Sequence, residues 1–154
     1  MRQYVMQRLL YRLSCSEYAN QFLLKGALLF WVWNDGFHRP TRDIDLLSFA
    51  DNDVPHLLDV FKQVVALEDE DGLIFDVDSL NGFEIREDAD YSGVRLTGFA
   101  NLTKARVPFQ IDIGYGDAVI PTFLDFPSPQ LKFYPGRISV VRMSRVTCGF
   151  ILWI

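Results

Sequence analysis

Carboxylates threaded between aliphatic side chains constrain this chain more than any other feature. Arg42-Asp43-Ile44-Asp45-Leu46 alternates charge with apolar bulk, and so does Gln110-Ile111-Asp112-Ile113. A period of two belongs to a strand with one buried face. Residues i and i+2 share a face, so Asp43 and Asp45 converge on one point, while Ile44, Leu46 and Leu47 are expected to face the core. Like charges that close repel, and a divalent cation removes the cost. Aspartate oxygens suit Mg²⁺, which keeps positions for water and substrate phosphates. Asp112 stands alone in a strand that otherwise reads as buried, where an unpartnered carboxylate is expensive. Two readings of it stay open: a third ligand beside Asp43 and Asp45, or a structural aspartate satisfied by hydrogen bonds.

Upstream, Leu24-Lys25-Gly26-Ala27-Leu28 reads as a small-residue turn entering a helix. Gly26 lets a phosphate approach the backbone, and a helix N-terminus supplies N–H donors and a positive dipole end. A second Asp-x-Asp, Asp76-Val77-Asp78, has no such turn before it. It reads as a strand end running into a tight turn at Asn81-Gly82.

The remaining elements follow from periodicity. Tyr4 to Leu13 predicts an amphipathic helix, with Val5, Leu9, Leu10 and Leu13 inward and Arg8 and Arg12 elsewhere. Phe22-Leu23-Leu24 is ambiguous, Ala27 to Trp33 suits a buried helix, and Asn34-Asp35-Gly36 stops it. Asn52-Asp53-Val54-Pro55 marks a helix start, continued on one face by Leu57, Leu58, Phe61, Val64 and Val65. Glu68 to Gly72 reads as a solvated acidic turn. Strand patterns then cover Leu73 to Val77, Phe83 to Arg86, Gly93 to Leu102 and Val107 to Ile113, with a last short one at Leu131 to Tyr134. This order predicts an α+β fold: one mixed β-sheet with helices packed against it.

Composition bounds the function. The 154 residues, 49% hydrophobic, suffice for one domain with a real core. A formal charge of −5 and a pI near 4.9 argue against a protein that coats nucleic acid, which needs excess Lys and Arg. Cys15 and Cys148 lack metal-ligand spacing and read as free thiols, and His38 and His56 as isolated surface residues. Arg2, Arg8 and Arg12 interrupt the N-terminal apolar runs, and Ala27 to Trp33 is too short to span a bilayer. The expectation is a soluble, cytoplasmic protein with no membrane partner.

Taken in order, these motifs resemble the nucleotidyltransferase superfamily, and more closely the AbiEii/AbiGii toxin family. The likeness is carried by Leu10-Tyr11-Arg12-Leu13-Ser14, Phe22-Leu23-Leu24-Lys25-Gly26-Ala27, Arg39-Pro40-Thr41-Arg42-Asp43-Ile44-Asp45-Leu46-Leu47, Tyr91-Ser92-Gly93-Val94-Arg95 and Gln110-Ile111-Asp112-Ile113-Gly114-Tyr115-Gly116-Asp117. It implies a metal-dependent enzyme of a toxin-antitoxin or phage-defence system, which moves a nucleotide from a nucleoside triphosphate (NTP) to a hydroxyl of RNA, such as tRNA, or of protein. Asp43, Asp45 and Asp112 would be the catalytic and metal-holding residues, with Mg²⁺ or Mn²⁺ as the ion. Lys25, Gly26, Ala27 and Arg42 would serve the nucleotide. The implied partners are the NTP, tRNA and a cognate antitoxin, and the apolar C-terminal stretch suggests a homodimer.

After Tyr134-Pro135 the chain departs from the family, which continues into a helix carrying Ala-Glu-Lys and later a Lys-Asp pair. Here the residues are Gly136-Arg137-Ile138-Ser139-Val140-Val141-Arg142-Met143-Ser144-Arg145, and the only lysine after Asp112 is Lys132. The expected division is a nucleotidyltransferase-like core over residues 1–135 and a divergent tail over 136–154, without the family's helical region. The alternative function is a catalytically defective remnant that binds metal, NTP or a partner protein only.

Overall fold

The computed structural model of the chain describes residues 1–26, 28, 41–49, 53–88, 91–115, 123–124 and 143–144. Helix α1 (Arg2–Cys15) is followed by a short 3₁₀ turn (Ala19–Gln21) and strand β1 (Phe22–Lys25). Strand β2 (Ile44–Ser48) and helix α2 (Val54–Val65) come next, then the long strands β3 (Leu73–Asp88), β4 (Tyr91–Leu102) and β5 (Ala105–Gly114). Two-residue strands β6 (Phe123–Leu124) and β7 (Met143–Ser144) complete the described set. The sheet order is β3-β4-β5-β2-β1-β7-β6. β2 runs parallel to β5 and β1 parallel to β7, whereas the other pairs are antiparallel. The fold is the mixed α+β sheet that the alternation of patterns predicts.

One face of the sheet makes the core. Val107, Phe109, Ile111 and Ile113 of β5 alternate inward, joined by Ile44 and Leu46 of β2 and Val94 and Leu96 of β4. Against them pack Val5, Leu9 and Leu13 of α1 and Leu57, Phe61 and Val64 of α2. Each such burial contributes about 1.5–3 kcal/mol. Phe22 meets Phe61, and Phe75 meets Phe109, in edge-to-face contacts with centroids 5.4 and 5.5 Å apart. α2 starts as its sequence predicts: the Asp53 carboxylate accepts the His56 N–H at 3.4 Å, and Pro55 sits in the first turn, where no intrahelical donor is lost.

Four expectations need correction. Arg8 and Arg12, set apart from the inward residues of α1 by the sequence pattern, are buried as well, because both reach Asp71. Arg12 donates to the two Asp71 oxygens at 2.6 and 3.1 Å, Arg8 adds a bond at 2.7 Å, and Arg8 also pairs with Asp69. The acidic turn is therefore a clasp holding α1 to the start of β3, and its Asp71 is buried. Asn81-Gly82 forms no turn: β3 runs straight through it, and a register shift between Asp76 and Asn81 absorbs the irregularity. Gly82 is closely packed there: a Cβ would meet Leu96 at 2.8 Å and Val54 of α2 at 3.0 Å. Leu47 lies outside the main core cluster: pairing with Leu23 across β1 and β2 buries it on the face that carries Asp45. The ambiguous Phe22-Leu23-Leu24 is strand β1.

Of the helix predicted over Ala27 to Trp33, Leu28 is described, helical and buried; the rest, with Asn34-Asp35-Gly36, His38 and Leu131 to Tyr134, lies outside the described residues. Cys15 is a free, exposed thiol, and Cys148 lies outside the described residues. Among the described residues no helix is long and apolar enough to cross a membrane.

Candidate metal centre and nucleotide face

The face of the sheet opposite the main core carries the charged residues. Alternation in β5 sends Gln110, Asp112 and Gly114 there while their neighbours serve the core. Register then lines up four strands: Lys25 of β1 faces Asp45 of β2, Asp45 faces Asp112 of β5, and Asp112 faces Arg95 of β4. Cross-strand partners share a face. A row of two carboxylates flanked by two cations results.

Asp43, just before β2, completes the set. One oxygen from each of Asp43, Asp45 and Asp112 lies within 4.8 Å of the others, and all three residues are half-buried. Like charges that close in partial shelter repel by several kcal/mol, which a dication would reverse. Three convergent carboxylate oxygens are a donor set suited to Mg²⁺ or Mn²⁺, so the residues present fit such an ion. Thr41 steadies the first of them, donating its hydroxyl to Asp43 Oδ1 at 2.7 Å.

Gly26 ends β1 with φ +78° against the carboxylate of Asp45. A Cβ at this position would sit 1.9 Å from Asp45 Oδ2, so no side chain fits between the turn and the carboxylate. Lys25 reaches across the same face, its Nζ 3.0 Å from where a Cβ on Gly114 would stand. Arg42 is exposed. Together with Arg2, Thr97, Phe99 and Gln110 it lines a groove of about 400 Å³, which lies where β5 extends beyond the start of β2.

The candidate ligands named from sequence thus come together. Lys25 and Gly26 adjoin them, Arg42 stands in the neighbouring groove, and Ala27 lies outside the described residues. Asp112 is hydrogen-bonded, accepting from Arg95 and Gln110, and the same carboxylate lies in the triad. Sequence reasoning gave no role to Arg95, Gln110 or Thr41. Alternation places Arg95 and Gln110 on the acidic face, but the pairing of β4 with β5 that joins Arg95 to Asp112 is a tertiary fact. The second Asp-x-Asp stands apart. Asp76 pairs with Arg106 at 3.3 Å and Asp78 is exposed.

Comparison with known proteins gives consistent results. The chain is similar in fold to the crystal structure of JHP933 from Helicobacter pylori, with 17% identity, a TM-score of 0.53, and coverage of 94% of this chain and 51% of that one. A second H. pylori crystal structure, provisionally described as a nucleotidyltransferase, matches at 16% identity and a TM-score of 0.51, covering 94% and 52%. The chain thus spans about half the length of each. No curated protein matches it. Residues 8–143 match the family described as nucleotidyl transferase AbiEii toxin of type IV toxin-antitoxin systems, and with nearly the whole chain matched, the protein belongs to that family.

Proposed function

We propose that this face binds a divalent cation, Mg²⁺ or Mn²⁺, together with an NTP, and transfers the nucleotide to a hydroxyl of RNA, such as tRNA, or of protein. The observation that carries the reading is the convergence of Asp43, Asp45 and Asp112 within 4.8 Å beside the side-chain-free Gly26. Asp43, Asp45 and Asp112 hold the ion, which when bound neutralises the triphosphate and polarises the reacting phosphoryl group. Gly26, followed by Ala27, lets a phosphate approach the backbone at the end of β1. Lys25 supplies positive charge on one flank of the carboxylates, and Arg42 with Arg2 makes the adjoining groove attractive to an anionic substrate. The chemistry needs little from the protein beyond position and charge. Residues 1–135 would form the catalytic core and 136–154 a divergent tail. The setting is a cytoplasmic toxin-antitoxin pair, with a cognate antitoxin as partner and a homodimer as the assembly.

Calorimetric titration with each NTP in Mg²⁺ tests the site. Metal-dependent binding of at least one NTP, lost in Asp45→Asn, is the expected result; equal affinity in the variant overturns the assignment. Transfer of labelled nucleotide to bulk tRNA or protein, abolished in Asp43→Ala, tests the reaction. Binding without transfer of any of the four nucleotides would assign the chain a binding role only.

A further inference from the structure

Asp112 enters the triad with both oxygens already engaged. Arg95 donates from Nε to Oδ1 at 2.7 Å and from Nη2 to Oδ2 at 2.8 Å, the two-pronged geometry that makes guanidinium–carboxylate pairs strong. Gln110, two residues earlier on the same face of β5, donates from Nε2 to both oxygens at 3.2 and 3.1 Å. The pair is well sheltered on the carboxylate side, with 14% of the Asp112 side chain exposed against 31% for Arg95. These four bonds use the carboxylate's lone-pair sites, so a cation enters by displacing the longer bonds from Gln110, at 3.2 and 3.1 Å, rather than those from Arg95. Arg95 opposes a cation electrostatically, as a permanent positive charge on the same carboxylate.

Lys25 stands at the other end of the row, opposite Asp45. Three carboxylates between two cations leave the site with a single net negative charge, a poor trap for a bare dication. A triphosphate changes that balance, because it brings negative charge of its own. We propose that Arg95 is a positioning residue that fixes Asp112 facing Asp45 and also keeps the metal affinity of the empty triad low, so that metal and nucleotide load together. The inference rests on the triad being the metal site, as proposed above, and adds a residue that sets its order of loading.

Mn²⁺ titrated into the full chain without nucleotide, with the free ion read by electron paramagnetic resonance, tests it. Wild-type protein should bind Mn²⁺ weakly. Arg95→Met should bind it more tightly by about tenfold, a coupling of ordinary size. Arg95→Lys, which keeps the charge but not the fork, should stay near wild type. The gain should vanish in the double variant Arg95→Met with Asp112→Asn. Unchanged or weaker Mn²⁺ binding by Arg95→Met overturns the proposal and leaves Arg95 a structural partner. If melting shows Arg95→Met unfolded, Arg95→Gln removes the charge while keeping a donor, and the same two outcomes apply. A calorimetric arm with Mn²⁺ and NTP separates the two ideas. Metal-dependent nucleotide binding by wild type, with no Mn²⁺ gain on charge removal, sinks the role of Arg95 alone; no metal or nucleotide binding by any form sinks both.

Discussion

Gly26 and Asp45 occupy space that only glycine can share. A Cβ on Gly26 would fall 1.9 Å from Asp45 Oδ2, and the glycine itself sits at φ +78°. Gly26→Ala therefore suffers twice: the left-handed backbone costs about 1–2 kcal/mol for an L side chain, and the Asp45 carboxylate must swing away from the triad. The expected outcome is a melting temperature lower by roughly 2–8 °C in a chain of this size, and loss of metal-dependent nucleotide binding by calorimetry. Retained binding at wild-type affinity would show that Asp45 can move without harm to the site.

Thr41 acts one step further out. Its hydroxyl donates to Asp43 Oδ1 at 2.7 Å, which fixes the carboxylate that precedes β2. Outer partners of this kind commonly set metal affinity through ligand orientation. Thr41→Val keeps the shape and removes the donor, so Mn²⁺ affinity, measured with NTP present, should fall roughly tenfold with the melting curve little changed. Thr41→Ser, which restores the hydroxyl, should recover most of the loss.

The clasp at Asp71 is a matter of stability rather than chemistry. Burial by itself pushes this carboxyl up, but hydrogen bonds from Arg12 and Arg8, and from the Leu73 amide at 2.9 Å, outweigh it and hold Asp71 below the usual carboxylate range. Asp71→Asn leaves the buried Arg12 guanidinium without its anion and Arg8 without one of its two, and should cost about 3–5 kcal/mol in urea unfolding at pH 7. A depressed carboxylate stabilises the fold above its unfolded-state value and loses that contribution as pH falls through the folded-state value. The gap between wild type and Asp71→Asn should therefore be flat from neutral pH down to about pH 5 and shrink below about pH 4. A gap independent of pH would mean that Asp71 titrates alike in the folded and unfolded protein.

The same clasp marks where the sequence misleads. Arg8 and Arg12 fall off the apolar stripe of α1, and the acidic run after α2 looks solvated, because each charge taken alone prefers water. Only the return of the chain to α1 brings opposite charges together. Asn81-Gly82 misleads in another way, since its turn chemistry is overridden by Gly82 lying under α2, where a side chain would strike Val54 and Leu96. The acidic face is more legible. Asp43, Asp45 and Asp112 are read from alternation because a strand's period fixes which side chains share a face. Arg95 obeys the same alternation, but its partner is set by strand order, which local pattern does not encode.

The two Asp-x-Asp sequences offer the sharpest contrast between pattern and place. Asp43 and Asp45 stand beside Asp112 across a parallel pair of strands. Asp76 and Asp78 stand at the register shift of β3, where the Asp76 carboxylate meets the exposed Arg106 and the Ser79 hydroxyl donates to the Asp76 carbonyl at 2.6 Å. Exposed pairs of this kind contribute about 0–1 kcal/mol. The double variant Asp76→Asn with Asp78→Asn should thus melt within a few degrees of wild type and bind metal and NTP unchanged, whereas Asp43→Asn with Asp45→Asn should lose that binding while staying folded. Calorimetry on the two double variants side by side checks both. Loss of nucleotide binding in the Asp76 and Asp78 variant would mean that substrate reaches across β4 to the sheet's far edge.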